Sequence, residues 1–549
     1  MLFFAFILAA CQKEEEAEAT PGAGSLSLDT PEQGDFLEAD TSHARGTAEH
    51  VTALTINGAA TKINDGHFDA KIELQRGVNV VEAVAETEGA TTLYVRNGVL
   101  AGNYRSASDE VEDAVVLRVN EGGLRAIGDL AEEMLSSDLV NDSLAGMNPV
   151  YSDSYGVWGW DAVTIAANVD GVYFDTPSFE FEPRDGVLEL TATLPNLYVD
   201  IYAWGEAIGF DFESDVALWA SSAVLTADVE IDTRGGKLDV NISNTAVTLN
   251  DFGYDTSLLP GDVESYLLVE TIRDTITETL VEQIDAMVPA LLDDTLAGLD
   301  PSYTTDLMGL DVQIEFAFAK AEIDRDGLQL ALDLDVAVPP TGTKSGPGFL
   351  GADMGTPDVD TEADVAGAIS DDLLNRVLYE AWAGGLLDMT LSTADGSLEP
   401  LVLVPFGVTE GSIEVEALLP PVVVENDGQL EAQIGELLVT IDAKGSKLGD
   451  HLKASVNVFV GLEVEIEDGE LVLSLGEPRL SFMVRETSHD VSNETMTNVL
   501  EEALPIDSIL ALLGDFAFPL PELYGIRLDK GTASRDESGV YTGIEIGVK

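Results

Sequence analysis

One long amphipathic segment, residues 262–299, interrupts a chain that otherwise alternates apolar and polar residues as β-strands do. At 100° per residue, its acidic side chains project opposite its apolar ones. Asp262 is placed to cap a helix here, and Pro289 is expected to kink it because proline removes a backbone donor. Such a helix needs an apolar concave surface, so the sequence predicts a long helix inside a large antiparallel sheet. The apolar side consists of Leu268, Val269, Ile272, Ile276, Leu280, Ile284, Met287 and Leu291.

Long strands are predicted on both sides of this helix. Apolar and polar residues alternate over 188–194, 227–231 and 238–242 before the helix, and over 312–318 and 328–334 after it. This alternation is typical of antiparallel sheets that bury one face and expose the other to water.

The last part of the chain repeats the same order of elements. Residues 339–360 are rich in proline and glycine and predict a linker. Beyond it, an early helix near 371–385 is followed by strands, a late helix at about 491–513 and closing strands. Two parts that share one order of early helix, strands, late helix and closing strands indicate an internal duplication.

A different pattern occupies residues 44–102, where short strands are separated by turn residues as in a small β-sandwich. Its progression from Asn57 and Gly58 through Phe68 to residues 77–85 resembles the bacterial Ig-like modules that accompany domains of secreted proteins. The resemblance implies a spacer or an adhesion module, of which the spacer is the simpler. A polar, acidic linker over 103–113 follows.

Three stretches beyond residue 113 carry a second resemblance. They are VVLRVNEGGLRAIGDLAEEML at 115–135, ISDDLLNRVLYEAWAGGLLDMTL at 369–391 and FAFPLPELYGIRL at 516–528. In this order, around a duplicated pattern, they resemble the bactericidal/permeability-increasing protein family, which includes lipopolysaccharide-binding and cholesteryl ester transfer proteins, within the tubular lipid-binding superfamily. The resemblance implies two long twisted barrels joined by a central sheet, with one acyl-chain pocket in each half.

The predicted fold class is therefore α+β, with two tandem elongated, twisted antiparallel β-barrels, each wrapped on long helices, preceded by a small all-β Ig-like sandwich. The domain boundaries predicted from the sequence are a signal and acidic tether at 1–25, an Ig-like sandwich at 44–102, a first lipid-binding domain at 113–338, a linker at 339–360, and a second lipid-binding domain at 361–549.

The start of the chain predicts a lipid anchor. Residues 8–11, LAAC, look like a bacterial lipobox, in which Cys11 is acylated and becomes the new N-terminus. Cys11 is the only cysteine, so a disulfide within the chain is impossible. The positive charges that usually precede a lipobox are absent, and an ordinary buried cysteine is the alternative. By family resemblance, Gln12 favours an outer-membrane lipoprotein, facing the periplasm or the cell surface.

Charge and motifs exclude several function classes. The chain has 101 Asp and Glu against 26 Lys and Arg, for a net charge of -75, which repels nucleic acid phosphates and anionic headgroups. It also lacks the cationic tip with which the bactericidal relatives grip lipopolysaccharide. None of its five histidines stands in an HExxH spacing, and no GxSxG motif is present. We therefore expect no enzymatic activity, catalytic residue, metal or cofactor.

The function predicted from these observations is binding of a lipid or other hydrophobic ligand in tubular apolar pockets, for transfer or sequestration at the bacterial envelope. An alternative is a surface interaction or adhesion protein that uses the duplicated barrels as a scaffold; the sequence names no protein partner. Apolar helix faces more often fill a core than line a pocket, so core packing is the alternative for each candidate lining residue. Those candidates are Leu268, Ile272, Ile276, Leu280 and Ile284 in the first half, and Leu374, Val377, Leu378 and Trp382 in the second.

Overall fold

The structure is a computed structural model, mostly of β-strands with few helices, in which two large sheets curl into half-barrels. It describes residues 24–546 apart from gaps at 88, 90, 147, 158–159, 208–209, 256–261, 298–301, 308–309, 338–343, 353–356, 358, 360–361, 386, 427, 447–448, 468–469, 489–516, 520–530 and 536–539. Cys11 and the predicted late helix at 491–513 lie outside the described residues. No helix in the described part is long and apolar enough to cross a membrane.

The N-terminal unit consists of two small sheets that share an apolar core, including Leu54, Phe68 and Val81. The sheet orders are β1-β3-β7-β6 and β2-β9-β8-β4-β5. Asn57 and Gly58 both have positive φ, as a two-residue hairpin turn between β4 and β5 requires. The unit begins before residue 44, where its sequence pattern becomes recognisable. Its strands are β1 (Ser25–Thr30), β2 (Phe36–Leu37), β3 (Thr41–Glu49), β4 (Val51–Ile56), β5 (Ala59–Ala60), β6 (Ile63–Asn64), β7 (His67–Glu73), β8 (Gly77–Thr87) and β9 (Thr92–Ala101).

Short strands occupy both predicted linkers. β10 (Asn103–Arg105) pairs antiparallel with β22 (Phe349–Gly351), and the side chains of Phe349 and Leu350 are buried. Three-residue strands carry too few residues for a periodic pattern, so the sequence predicted linkers without structure here. The pairing joins two segments that the chain separates widely.

The first-half sheet is antiparallel, with the order β12-β13-β15-β16-β17. β15 and β16 are 21 and 25 residues long, and their alternation buries residues such as Leu190 and Leu225 on the inner face. The strands are β12 (Tyr151–Val157), β13 (Trp160–Tyr173), β14 (Ser178–Arg184), β15 (Val187–Ala207), β16 (Phe210–Arg234), β17 (Lys237–Asn250) and β18 (Gly253–Asp255).

Three helices accompany this sheet: α1 (Glu121–Met134), α2 (Ser137–Ala145) and α3 (Asp262–Ala297). α3 has 36 residues and contains Pro289. Its apolar side chains, from Val269 to Leu292, are buried in the same core as the inner face of the sheet. The position of the helix agrees with the sequence pattern to within two residues at its C-terminal end.

A central sheet joins the two halves, with the order β19-β20-β21-β11-β23-β33-β32. Four of its strands precede residue 338 and three follow it: β11 (Val111–Asn120), β19 (Ser302–Leu307), β20 (Leu310–Ile323), β21 (Gly327–Ala337), β23 (Val365–Ser370), β32 (Gly531–Arg535) and β33 (Tyr541–Ile546). β11 pairs with β21 on one side and with β23 on the other, so it is the seam between the halves.

The second-half sheet has the order β24-β25-β27-β28-β29-β31, and α4 (Asp371–Ala383) packs into its core. A 3₁₀ helix covers Pro400–Phe406. Of the predicted closing segment at 516–528, only β31 falls within the described residues. The strands are β24 (Met389–Ser392), β25 (Ser412–Ala417), β26 (Val422–Asn426), β27 (Gln429–Asp442), β28 (His451–Glu467), β29 (Glu470–Leu475), β30 (Arg479–Thr487) and β31 (Ala517–Pro519).

The N-terminal unit lies against the outer face of the second-half sheet. Glu436, fully buried, accepts a hydrogen bond from the Gly98 backbone N–H and pairs with Arg485, whose Nη2 lies 3.3 Å from both carboxylate oxygens. Arg485 Nη1 also donates to Asn97 Oδ1 at 3.0 Å, and Arg96 Nη1 donates to the Phe482 carbonyl at 3.1 Å. The unit predicted as a spacer is thus packed on the body of the protein.

Candidate functional site

An apolar pocket lies at the seam between α3 and the inner face of the first-half sheet. From the sheet it is lined by Leu197 and Val199 of β15, by Leu218 and Ala220 of β16, and by Leu249 of β17 and the adjacent Phe252; α3 contributes Ile276 and Arg273, and Trp219 completes the lining. The strands place these side chains together because alternate residues of neighbouring antiparallel strands share one face. The free volume is about 10 Å³, close to that needed for one water molecule.

The rim of the pocket carries the aromatic and charged groups. The Trp219 indole crosses Gly253, where a β-carbon would lie 2.5 Å from its Nε1, so this position requires glycine. Next along β18, Tyr254 is 45% exposed and its ring centroid lies 6.3 Å from that of Phe252. Arg273 donates from Nη2 to Asp274 Oδ1 at 2.7 Å, so its charge is paired beside the pocket.

The polar groups of α3 near the sheet are satisfied within the helix. Thr275 Oγ1 donates to the Thr271 carbonyl at 2.9 Å, and Thr279 Oγ1 donates to the Thr275 carbonyl at 2.8 Å. Thr279 is buried. Because its hydroxyl is hydrogen-bonded within the helix, it needs no partner from the sheet. A side-chain bond from Thr245 to Asp285, 3.2 Å, links β17 to α3 on the exposed side. The seam itself is an apolar contact.

The structure brings four of the five first-half candidates onto one buried face. Ile272, Ile276, Leu280 and Ile284 are each at most 3% exposed, and Ile276 lines the pocket. The Leu268 side chain lies outside the described part of the chain. The sheet residues that form most of the lining were not singled out by sequence reasoning; Ala220, a small residue within a long strand, was the available signal.

The second-half candidates Leu374, Val377, Leu378 and Trp382 are all buried on α4. Trp382 is held by its Nε1, which donates to the Ala417 carbonyl at 2.9 Å, and its ring lies 6.2 Å from that of Phe36 in the N-terminal unit. These residues form a packed junction between α4, the second-half sheet and the N-terminal unit, separate from the first-half pocket.

A buried charge cluster surrounds the start of α4. Arg535 contacts both oxygens of Asp371 at 2.8 Å, and the Asp372 carboxylate accepts from the Ala352 N–H at 2.9 Å. Arg76 and Arg105 lie 3.6 and 3.7 Å from Asp372. Burial raises the pKa of Asp372 to about 6, against the opposing attraction of the two arginines. The sequence reasoning missed this cluster, although a serine followed by two aspartates marks the helix start.

No group of three His, Cys, Asp or Glu side chains within the described residues is arranged to hold a metal ion.

No protein-family model and no curated protein matches this chain. Among solved structures, the chain is similar to a lipopolysaccharide binding protein, with 14% identity and a TM-score of 0.42, over 79% of this chain and 99% of that one. It is also similar to P47 of Clostridium botulinum E1, with 9% identity and a TM-score of 0.28, over 80% of this chain and 100% of that one. The family resemblance stated from the sequence stays a prediction.

Proposed function

We propose that this protein binds the acyl chain of a lipid, or another apolar molecule, between α3 and the inner face of the first-half sheet. The observation that supports the proposal is the apolar pocket at this seam, with Ile276 of α3 facing Val199 and Ala220 of the sheet. Apart from Arg273, which is paired with Asp274, every side chain in contact with the pocket is apolar or aromatic. A lining of this kind selects a ligand by its hydrocarbon part.

The energetics fit a lipid carrier. Each methylene that leaves water gains about 0.8 kcal/mol, so a tail of about 16 carbons gains about 13 kcal/mol relative to water. A bilayer offers the tail a similar gain. A contact between α3 and the sheet that offers the tail about the same free energy as the bilayer holds a lipid against water and still exchanges it with a membrane. This suits transfer as well as sequestration.

Uptake requires α3 to move away from the sheet, because the free volume of about 10 Å³ is far smaller than a lipid tail. The apolar seam makes this movement feasible: ligand methylenes replace the side-chain contacts that α3 gives up. Pro289 interrupts the hydrogen-bond ladder of α3 and supplies a point at which the helix can bend. We place the proposed ligand in the first half, since Trp382 and its neighbours tie α4 into a junction.

The proposed location is the bacterial envelope, with the protein anchored to the outer membrane through an acylated Cys11. The support is the LAAC stretch and the polar tether that follows it. The anchor keeps the binding body near its lipid source, while the net charge of -75 keeps it off anionic headgroups. Transfer or sequestration would follow from the same site.

The direct test uses the protein from Ser25 onward, purified without detergent, extracted with organic solvent and examined by mass spectrometry. We expect an acyl lipid at close to one molecule per chain. A dansyl-labelled undecanoic acid then reports on the site: Ala220→Leu, which fills the pocket, should weaken its binding about tenfold. Ala246→Leu makes the same change at an exposed position of β17 and serves as the control. Absence of both co-purified lipid and probe binding would refute the proposal.

A further inference from the structure

Three aromatic side chains form a row across the outer face of the first-half sheet. Tyr173 of β13 is the direct partner of Tyr198 of β15, which is in turn the partner of Trp219 of β16. Directly opposed residues of antiparallel strands point to the same face, about 5 Å apart. The three side chains are 51, 40 and 42% exposed. They lie on the face opposite the core, where the strands otherwise carry polar residues.

Two more rings continue the row along β15. Tyr202 and Trp204 are stacked, with centroids 5.8 Å apart and an interplanar angle of 25°. They share the outer face with Tyr198 because residues two apart on a strand point the same way. Together with the three rings of the row, they form what we call the aromatic face.

Carboxylates are interleaved with these rings. Asp200 lies between Tyr198 and Tyr202 on β15, while Asp215 and Glu213 of β16 oppose Tyr202 and Trp204. A hydrogen bond to Asp200 raises the pKa of Tyr198. Desolvation, followed by a hydrogen bond to Glu213, raises the pKa of Tyr202. The aromatic face therefore presents ring faces and carboxylate oxygens side by side.

Cationic side chains are missing from β15 and from all of β16 except its last residue, Arg234. Residues 185–233 contain no lysine, arginine or histidine. Among the described residues, none of Asp200, Glu213 and Asp215 takes part in a salt bridge. The negative charge here is thus left for water or for a partner, in contrast to the arginine-paired carboxylates at the start of α4.

We propose that the aromatic face binds a lysine- or arginine-rich segment of a partner protein. Ammonium and guanidinium groups are attracted to the faces of Trp and Tyr rings, and carboxylates beside the rings add to that attraction. A row across three strands offers several such positions in succession, which suits an extended basic segment better than a single small cation. Most of this surface lies on the opposite side of the sheet from the pocket, and of its rings Trp219 is the one that also lines the pocket, so the test leaves Trp219 in place.

The negative charge of the protein disfavours the other ligands that this surface could bind. A second copy of a chain with net charge -75 is repelled, and so are anionic lipids and anionic glycans. A neutral glycan could stack on the rings and donate hydroxyls to the carboxylates, but it gains nothing from their charge. A basic segment gains from both the rings and the charges.

The test measures fluorescence anisotropy of a fluorescein-labelled deca-arginine peptide with the full chain. Tyr173→Ala/Tyr198→Ala removes two rings that do not line the pocket and leaves the charge unchanged; we expect binding about tenfold weaker. Glu213→Gln/Asp215→Asn removes two charges within the aromatic face and should weaken binding similarly. Asp228→Asn/Glu230→Gln removes two charges from the same strand and face, away from the rings, and should change binding less than twofold.

Two results would overturn the proposal. Either the two charge-removing variants weaken peptide binding equally, or the ring variant binds the peptide as tightly as the wild type. Both would show diffuse attraction of the peptide to an acidic protein. Binding of cellohexaose that is lost in the ring variant, with no such loss for the peptide, would also overturn it in favour of a glycan site. Thermal melts confirm that each variant is folded, which is expected because every substituted residue is at least partly exposed.

Discussion

The first-half and second-half sheets are both antiparallel, but their outer faces differ in exposure to water. In the first half, the outer face of β15 and β16 is open to water and carries aromatic and acidic side chains. In the second half, the outer residues Gln433, Glu436, Ser455 and Asn457 are just as polar, yet each is at most 5% exposed beneath the N-terminal unit. A polar face on a strand is therefore not always a wet face. It is also the surface on which a folded unit can be fixed by charge and hydrogen bonds.

The cost of covering a polar face is that every buried group needs a partner. Glu436 meets this need through Arg485, Asn457 and the Gly98 N–H, and Gln433 accepts from the Val78 N–H at 2.6 Å. On the open first-half face, water supplies the hydrogen-bond partners. The two faces should consequently differ sharply in how they respond to the loss of one polar side chain.

The largest expected effect tests this difference directly. Glu436→Ala should lower the free energy of unfolding by about 4 kcal/mol, because it leaves Arg485 buried without its carboxylate. Glu230→Ala, on the outer face of β16, should stay within about 0.5 kcal/mol of the wild type. Urea denaturation followed by circular dichroism measures both. Similar values for the two variants would mean that the N-terminal unit does not cover the second-half sheet in solution.

The next prediction compares the inner faces. Ile276→Ala and Leu374→Ala each remove a buried aliphatic group, and each should cost about 3 kcal/mol of stability. Only Ile276→Ala enlarges the proposed lipid seam, so it alone should tighten binding of the dansyl-labelled fatty acid, by several-fold. Urea unfolding and probe titration give the two quantities. A gain in affinity for Leu374→Ala instead would move the site to the second half.

The sequence predicted the inner faces better than the outer ones, for a physical reason. Periodic apolar residues must find a core, so the pattern at 262–299 predicted α3 and the burial of Ile272, Ile276, Leu280 and Ile284 within it. The polar residues on the opposite face do not have to enter a core, so their pattern does not show what surrounds them. Whether they meet water or another unit depends on contacts such as Gly98 with Glu436, which are 338 residues apart. The lining residues from β15 to β17 come together for the same non-local reason.

The buried charge cluster at the start of α4 predicts that the free energy of unfolding depends on pH, an effect that the open face of the first half lacks. The pKa of Asp372 is raised to about 6, above its unfolded value of 3.8, so the folded state holds this proton more tightly. Its contribution to stability is therefore greatest below pH 4 and is lost as the pH rises through 6, by no more than about 3 kcal/mol.

Asp372→Asn isolates that contribution from the general relief of charge repulsion on acidification. The difference in unfolding free energy between wild type and Asp372→Asn should change between pH 4 and 6 and be constant above pH 7. Arg76, Arg105, Asp371 and Arg535 face the same cluster, and the wild type and the variant share all four. A difference that does not vary with pH would show that Asp372 ionises normally, as it would if water entered the junction.

The smallest effect concerns the helices that open each half. Ser370 caps α4 by accepting from the Leu373 N–H at 3.1 Å, whereas Asn120 precedes α1 without a side-chain cap and accepts instead from Arg118 Nε at 2.8 Å. Ser370→Ala should cost about 1 kcal/mol. At an exposed cap, glycine largely restores stability because water reaches the free N–H. Ser370 is fully buried, so Ser370→Gly should be as costly as Ser370→Ala. Urea unfolding decides the matter: recovery by glycine to within a few tenths of a kcal/mol would mean that water enters the second half where the packing leaves it no room.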